Sequence, residues 1–387
     1  MGNSSFKMLH TISGFGAYSG GTSTCTYDLI SALHHLGADV DLLTLKSKDP
    51  SDKLMGKGEA WIHALPNDAF SPFGYSANMK RWIEEMHEEY DLLHVNGLWM
   101  YANHITCALA RKYGKPYVIT PHGMLYPDAL HRSYWKKWPM QKLFFDKDIR
   151  EASCLHVTCK QEMEHVRGFG YHGPVAIIPN PMVLPTPPSA KRSPEARRAF
   201  GFLGRLHPRK KVENLFYGDE LLKERQQECE LWIMGGGMPE YEAFLKAEVK
   251  RLGLDNVKFL GFVNGLEKYE KLAQLSALFV PSDFENFGMI VTEALSVGTP
   301  VMASLGTPWE SLNEEHCGWW LERSPENIAK VMREVLDMSA DELDDMGERG
   351  KKMVKQRFAA DHVAKMMEEL YIWLLNGGEK PAFVYEK

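Results

Sequence analysis

Short apolar runs recur along the chain, and between them lie longer stretches in which apolar positions return every three or four residues. In the first half the runs are MLHTI (8–12), VDLLTL (40–45), DLLHV (91–95), YVIT (117–120), CLHVT (154–158) and VAIIP (175–179). Runs of this length and content read as strands, and the amphipathic stretches between them, such as 24–36 and 103–112, read as crossover helices. That alternation predicts a parallel sheet.

Residues 178–196, IPNPMVLPTPPSAKRSPEA, are dense in proline and polar residues and read as an interdomain linker. Beyond it the alternation resumes with RAFGFLG (198–204), a helix from about Val212, ELWIMG (230–235), a helix from about Pro239, VKFLG (257–261), a helix near 267–275, ALFVP (277–281), a helix carrying Glu293, and PVMAS (300–304). From Ser339 the pattern gives two helices ending in VAKMMEELYIWLLNGG. The expectation is two doubly wound, Rossmann-like α/β domains at 1–182 and 183–364, followed by a terminal helical segment, 365–387.

Composition narrows the functional classes. The chain has 387 residues, 44% hydrophobic and 25% charged, with a formal net charge of -6. No large Lys/Arg block is present, so the general electrostatic basis for nucleic-acid binding is missing. Six cysteines (Cys25, Cys107, Cys154, Cys159, Cys229, Cys317) are spread without the short paired spacing of a structural zinc site and read as free thiols in a reducing cytoplasm. No apolar run approaches the ~18 residues that a membrane span requires, and the N-terminus lacks a basic region followed by a long apolar core. A cytoplasmic protein, touching the inner face of the plasma membrane from outside the bilayer, is the expectation.

Open parallel sheets bind ligands beyond the carboxyl ends of their strands. The first candidate there is SGFGAYSGGTST (13–24), where Gly14, Gly16, Gly20 and Gly21 lie between a strand and a helix. Glycines at a helix N-terminus let backbone N–H groups approach phosphate, so Gly20, Gly21 and Thr22 are candidates, with Asn96 at the end of DLLHV. The spacing departs from a dinucleotide fingerprint, and the second strand ends in Leu45-Lys46 where an NAD site would want an acidic residue. A plain tight turn is the alternative. The second candidate is His122 in TPHGML, directly after YVIT, placed either to bond a substrate hydroxyl or leaving-group oxygen or to bond backbone.

The third is FLGRLHPRKKVENL (202–215). Arg205 ends a strand, and Lys210 and Lys211 precede a helix; two cations and a helix N-terminus facing one crevice suit a diphosphate. The fourth is SDFENFGMIVTEALSVGTPV (282–301), which holds Glu285 and Glu293. A glycosidase pair would sit no more than ~9.5 Å apart, whereas eight helical positions give a rise of ~12 Å and an offset of about 80°. That spacing instead suits two polar groups at opposite ends of one ligand, with a diphosphate between them at a helix N-terminus formed by Asn286, Phe287, Gly288 and Met289. Gly236 and Gly261, at the ends of ELWIMG and VKFLG, complete the donor-side candidates.

Glu285 and Glu293 with the intervening NFGMIVT, the trailing ALSVGTPV, the upstream GRLHPRKK and the HGM of the first half together resemble the family 4 retaining glycosyltransferases with the GT-B fold, two Rossmann-like domains facing a central cleft. The resemblance covers nearly the whole chain and points toward bacterial capsule and O-antigen transferases. It implies that Arg205 and Lys210 hold the donor diphosphate, Glu293 the ribose and Glu285 the donor sugar. The backbone of 287–289 would contact sugar or phosphate, His122 would lie near the transferred sugar, and the last helix would cross back to the first domain. The family often has glycine where this chain has Lys211, which leaves open which of Lys210 and Lys211 reaches phosphate.

The expected activity is transfer of a sugar from a nucleotide-diphosphate sugar to a glycan or polyprenyl-diphosphate-linked acceptor, without metal or other cofactor. The strings Asp39-Val-Asp41 and Asp146-Lys-Asp148 are read as coincidental. HRSYWKKWPMQKLFF (131–145) interleaves Tyr134, Trp135 and Trp138 with Arg132, Lys136, Lys137 and Lys142. It suits either a membrane interface or a helix whose tryptophans face the core and whose lysines face water. Competing functions are a GT-B hydrolase or epimerase of nucleotide sugars, a non-catalytic nucleotide-sugar-binding protein, and an NAD-dependent oxidoreductase.

Overall fold

The computed structural model describes residues 6–16, 20–131, 134–189, 192 and 198–386, with the side chains of Asp128, Tyr134, Lys136 and Lys137 outside the described set. Parts of the glycine-rich turn (17–19), the aromatic-basic stretch (132–133) and the linker (190–191, 193–197) also fall outside it. The strands in chain order are β1 (Lys7–Ile12), β2 (Asp39–Leu45), β3 (Ile62–Leu65), β4 (Leu92–Asn96), β5 (Tyr117–Thr120), β6 (Cys154–Val157), β7 (Val175–Ile177), β8 (Arg198–Leu203), β9 (Cys229–Met234), β10 (Val257–Gly261), β11 (Ala277–Val280), β12 (Val301–Ser304), β13 (Gly318–Leu321) and β14 (Val384–Tyr385).

Contacts divide the chain into two compact units, Met1–Pro181 together with Ala360–Lys387, and Met182–Ala359. The sequence reading drew its last boundary at 364/365. The final helix, Ala360–Asn376, lies entirely in the first unit because its buried face, Val363, Ala364, Met367, Leu370 and Tyr371, joins the same core as Leu29, Ile30 and Leu33 of the helix Gly21–His35.

The first unit's sheet runs β14-β7-β6-β5-β4-β1-β2-β3. Every pairing is parallel except that of β14 with β7. Alternate residues of one strand feed opposite cores: Met8, Leu92 and Val118 enter one, Leu9, Leu93 and Ile119 the other. Both faces are therefore buried, which is why these strands read as unbroken apolar runs. The order reverses between β1 and β4, and that switch point opens a crevice beyond the strand ends.

The second unit's sheet runs β10-β9-β8-β11-β12-β13, all parallel, with its switch between β8 and β11. Phe200 and Phe279 fill one core and Leu203 and Leu278 the other. Three strands escaped the sequence reading: β3, half-buried along its length; β13, whose GWWL carries no alternation; and β14, two residues long. One helical premise also fails. The helix bearing Glu293 begins at Met289, after Gly288 at φ 79°, so Glu285 stands outside it and the eight-position helical rise does not describe the pair.

Candidate active site

Two loops meet beyond the switch point of the second unit. The one after β8 carries Arg205, exposed, and then a single 3₁₀ turn, Pro208–Lys210, in which the His207 side chain accepts from the Arg209 N–H. The one after β11 carries Ser282, Asp283 and Glu285. A backbone bond from Asp283 N to Arg209 O, 2.7 Å, ties the two together. Lys210 forms an ion pair with Glu285, whose Oε1 also accepts from Ser282 Oγ at 2.7 Å. Lys211 points to a different carboxylate, 3.8 Å from Asp283, which Arg323 holds at 2.8 Å. Lys211 itself has φ 51°, a left-handed conformation that costs an L-residue about 1–2 kcal/mol. That backbone accounts for glycine at this position in the resembling family.

The segment from Glu285 to Gly288 is fixed from beneath. Phe287 is buried against Trp309 and Phe358 at ring separations of 5.3 and 5.8 Å, and Trp309 Nε1–H donates to the Phe287 carbonyl at 2.5 Å. Phe287 thus anchors the loop, and its carbonyl is engaged inside the unit. Gly288, left-handed, hands the chain to the helix Met289–Ser296, whose first turn has no side-chain cap and no acidic residue. Its N–H groups and dipole form a site suited to an anion. Four residues into that helix Glu293 pairs with Lys268 at 2.7 Å.

Glycines bring the adjoining loops close. A Cβ on Gly235 would stand 1.9 Å from Gly204 O, and one on Gly237 2.1 Å from Leu206 O. The close approach therefore rests on Gly235 and Gly237 rather than on Gly236, whose carbonyl accepts from Leu206 N at 3.0 Å. Gly261, at φ 72°, ends β10 and accepts from Gly235 N at 2.6 Å.

At the first unit's switch point Gly20, φ 83° with ψ -164°, precedes the helix Gly21–His35, whose N-terminus carries no side-chain cap; Gly21 is exposed and Thr22 half-buried. Asn96 is a different case. Its Nδ2 reaches His10 Nδ1 and Thr11 O at 3.3 and 3.4 Å and its Oδ1 accepts from Thr26 at 3.4 Å. Its side chain serves the interior, which corrects its placement on the ligand side. His122 follows β5 with φ 50° beside Gly123 at φ 74°. Its Nε2 is shielded from water and has no hydrogen-bond partner among the described residues. Burial, reinforced by nearby His156, lowers its pKa to about 3, so at neutral pH it is an uncharged imidazole.

Behind this end of the sheet runs a chain of hydrogen bonds. His156 Nε2 lies 2.8 Å from Ile178 O, which accepts only, so that nitrogen is the donor. The rest follows: Thr120 donates to His156 Nδ1 at 2.7 Å, His94 Nε2–H to Thr120 at 2.6 Å, Tyr371 to His94 Nδ1 at 2.6 Å, and His10 Nε2–H to Tyr371 at 2.7 Å. Each imidazole is neutral in this arrangement. The two D-x-D strings are likewise engaged. Asp41 is bound by Tyr90, Lys7 and His63 at 2.6, 3.1 and 3.2 Å, and buried Asp148 by Arg111 and His104 at 2.7 and 2.8 Å.

In the aromatic-basic stretch Trp135 is 87% exposed, Trp138 47% and Leu143 70%, so the tryptophans do not face the core. Phe73 stacks on Phe144 at 5.7 Å, and exposed Phe70 and Tyr75 pair at 5.1 Å. Lys142 pairs with Asp146 at 2.8 Å.

Residues missed by the sequence reading are Lys268, Ser282, Arg323 and Trp309. Ser282 lies directly after a strand end and was findable; the other three meet the site only through tertiary packing.

Both halves of the chain match glycosyltransferase families. Residues 187–353 match the family described as "Glycosyl transferases group 1", and residues 20–181 match the "Glycosyl transferase 4-like domain". The chain is 28% identical over 316 residues to an uncharacterized glycosyltransferase of Methanocaldococcus jannaschii, covering 73% of this chain and 75% of that protein. It is 26% identical over 304 residues to a glycogen synthase of Mycobacterium tuberculosis, covering 75% and 70%. Among solved structures it is similar to Anabaena HepE in complex with UDP and glucose, with a TM-score of 0.74 at 19% identity over 95% of this chain and 99% of that one. At that identity the likeness speaks to the fold, the two Rossmann-like α/β domains of GT-B glycosyltransferases. In all of the described residues no helix is long and apolar enough to cross a membrane.

Proposed function

We propose that the protein is a retaining, metal-independent glycosyltransferase that moves a sugar from a nucleotide-diphosphate sugar to a hydroxyl of a glycan or lipid-linked acceptor in cell-surface polysaccharide synthesis. The observation that carries this reading is the convergence of Arg205, the Lys210–Glu285 pair and the uncapped helix N-terminus at Gly288-Met289 beyond one switch point. The cations and the helix dipole neutralise the diphosphate as it departs. Glu293 takes the ribose hydroxyls after Lys268 yields, and Glu285 takes a hydroxyl of the donor sugar.

The bond from the anomeric carbon to the β-phosphate oxygen breaks, and a bond to the acceptor oxygen forms on the same face. The acceptor's proton passes to the departing diphosphate on that face. His122, uncharged, acts as a hydrogen-bonding partner of the transferred sugar rather than as a proton source. The exposed Trp135, Trp138 and Leu143 support peripheral contact with a membrane that presents the acceptor. HepE was solved with UDP and glucose, which favours UDP-sugars as the first donors to try. The test is calorimetric titration of UDP, GDP and ADP into wild type and Arg205→Ala in EDTA. Tight binding of one diphosphate, weakened at least tenfold in the variant, is expected; equal binding by both would remove Arg205 from the site.

A further inference from the structure

His122 and Gly123 are two consecutive left-handed residues at the tip of β5. Such a turn needs an external hold, and one is present. Glu162, wholly buried, accepts from the Gly123 N–H through Oε1 at 2.6 Å. Its other oxygen, Oε2, accepts from Thr158 N at 2.8 Å and from Thr158 Oγ1 at 3.0 Å.

We propose that Glu162 is the positioning residue of His122, fixing the turn that aims its unbonded Nε2. This rests on the reading of His122 as a group facing the transferred sugar. A capping role explains only half of the geometry. Glu162 is the third residue of the helix Lys160–Phe169, and a carboxylate there commonly reaches back to the start of its own helix. Oε2 does this through Thr158. Oε1 instead spans 39 residues to the β5 loop, where capping asks for nothing. A bond from a buried carboxylate to a backbone N–H is charge-assisted and short, so it holds the loop more firmly than a neutral acceptor would.

Gly123 further ties the segment: Tyr126 N donates to Gly123 O at 3.3 Å, and the Tyr126 ring lies 4.2 Å from that of His165 on the Glu162 helix. Tyr126 OH also lies 3.8 Å from Sγ of Cys159, the cap of this helix, and Glu162 meets the residue next to His122 with a charged group.

The experiment combines amide exchange with kinetics on the full chain. Exchange of the Gly123 amide, read by NMR, is expected to accelerate at least tenfold in Glu162→Ala and less in Glu162→Gln, whose carbonyl can still accept. In transfer assays Glu162→Ala is expected to lower kcat ten- to a hundredfold with donor KM within twofold. The double variant with His122→Ala is expected to be no slower than His122→Ala alone, because both changes remove one function. Thr158→Val loosens the same helix start without touching the Gly123 bond and is expected to keep kcat within threefold. Unchanged Gly123 exchange in Glu162→Ala, multiplying losses in the double variant, or a Thr158→Val defect equal to that of Glu162→Ala would each overturn the proposal. The exchange arm needs no substrate, so its outcome stands apart from whether the transferase reading holds.

Discussion

Lys268 Nζ lies 2.7 Å from Glu293 Oε1, so the carboxylate assigned to the donor ribose is already bonded in the free chain. Donor binding then exchanges one partner for another. Lys268→Met should tighten donor binding two- to fivefold by calorimetry, in line with the 0.2–1 kcal/mol scale of partly exposed ion pairs. Weaker binding would instead make Lys268 a donor contact.

Lys210 and Lys211 are adjacent but unlike. Lys210 faces Glu285, whereas Lys211 is left-handed and faces Asp283. Lys210→Met should lower kcat/KM by a hundredfold or more. Lys211→Gly should leave kcat within twofold and raise stability by about 1 kcal/mol, a shift of about 2–4 °C in the melting of a domain this size.

Trp309 carries the loop of Glu285 through the Phe287 carbonyl and ring. Trp309→Phe leaves the Phe287 carbonyl without its donor, and should cost about 1–2 kcal/mol. If the loop's position matters, kcat falls about tenfold while circular dichroism remains that of wild type. Full activity would show that Phe287 and Phe358 suffice to hold the loop.

The buried imidazoles set an acid limit. Burial lowers the pKa of His10 to about 3, with a smaller push from His156; burial lowers that of His156 to about 4, against a hydrogen bond to Ile178 O. Burial and the neighbouring imidazoles likewise hold His94 well below its ordinary value. Because the folded values lie below the unfolded value of about 6.5, the unfolded state binds more protons below that pH. The stability is fully present above pH 6.5 and is lost as pH falls toward the folded values, at about 1.4 kcal/mol per pH unit for each such histidine. Denaturant melts at pH 7, 6 and 5 should show this steepening loss. Tyr371→Phe, which strips His94 of its donor and His10 of its acceptor, should lower stability by about 1–3 kcal/mol at pH 7.

The fold was legible where the physics is local. Strands buried on both faces are unbroken apolar runs, and the structure places Arg205, His122 and Glu285 within a few residues after such runs. The sequence reading failed where a partner arrives from elsewhere. Glu293 advertises itself by spacing, but Lys268 lies 25 residues away on another helix, and Glu162 reaches the β5 loop from a helix whose own pattern is ordinary. Gly236 was chosen from a run of three glycines, although only Gly235 and Gly237 approach neighbouring carbonyls, a distinction set by backbone direction. Asn96 ends a strand as a ligand contact would, yet its amide turns inward to His10.

The central claim is transfer chemistry at the second unit's switch point. We would incubate the pure protein with UDP-, GDP- and ADP-sugars, with and without EDTA, and follow nucleoside diphosphate release by mass spectrometry beside Glu285→Ala. Slow release from one donor, undiminished by EDTA and lost in the variant, is the predicted result. Folded wild type that neither binds nor cleaves any donor, or cleavage that EDTA abolishes and a divalent ion restores, would contradict it.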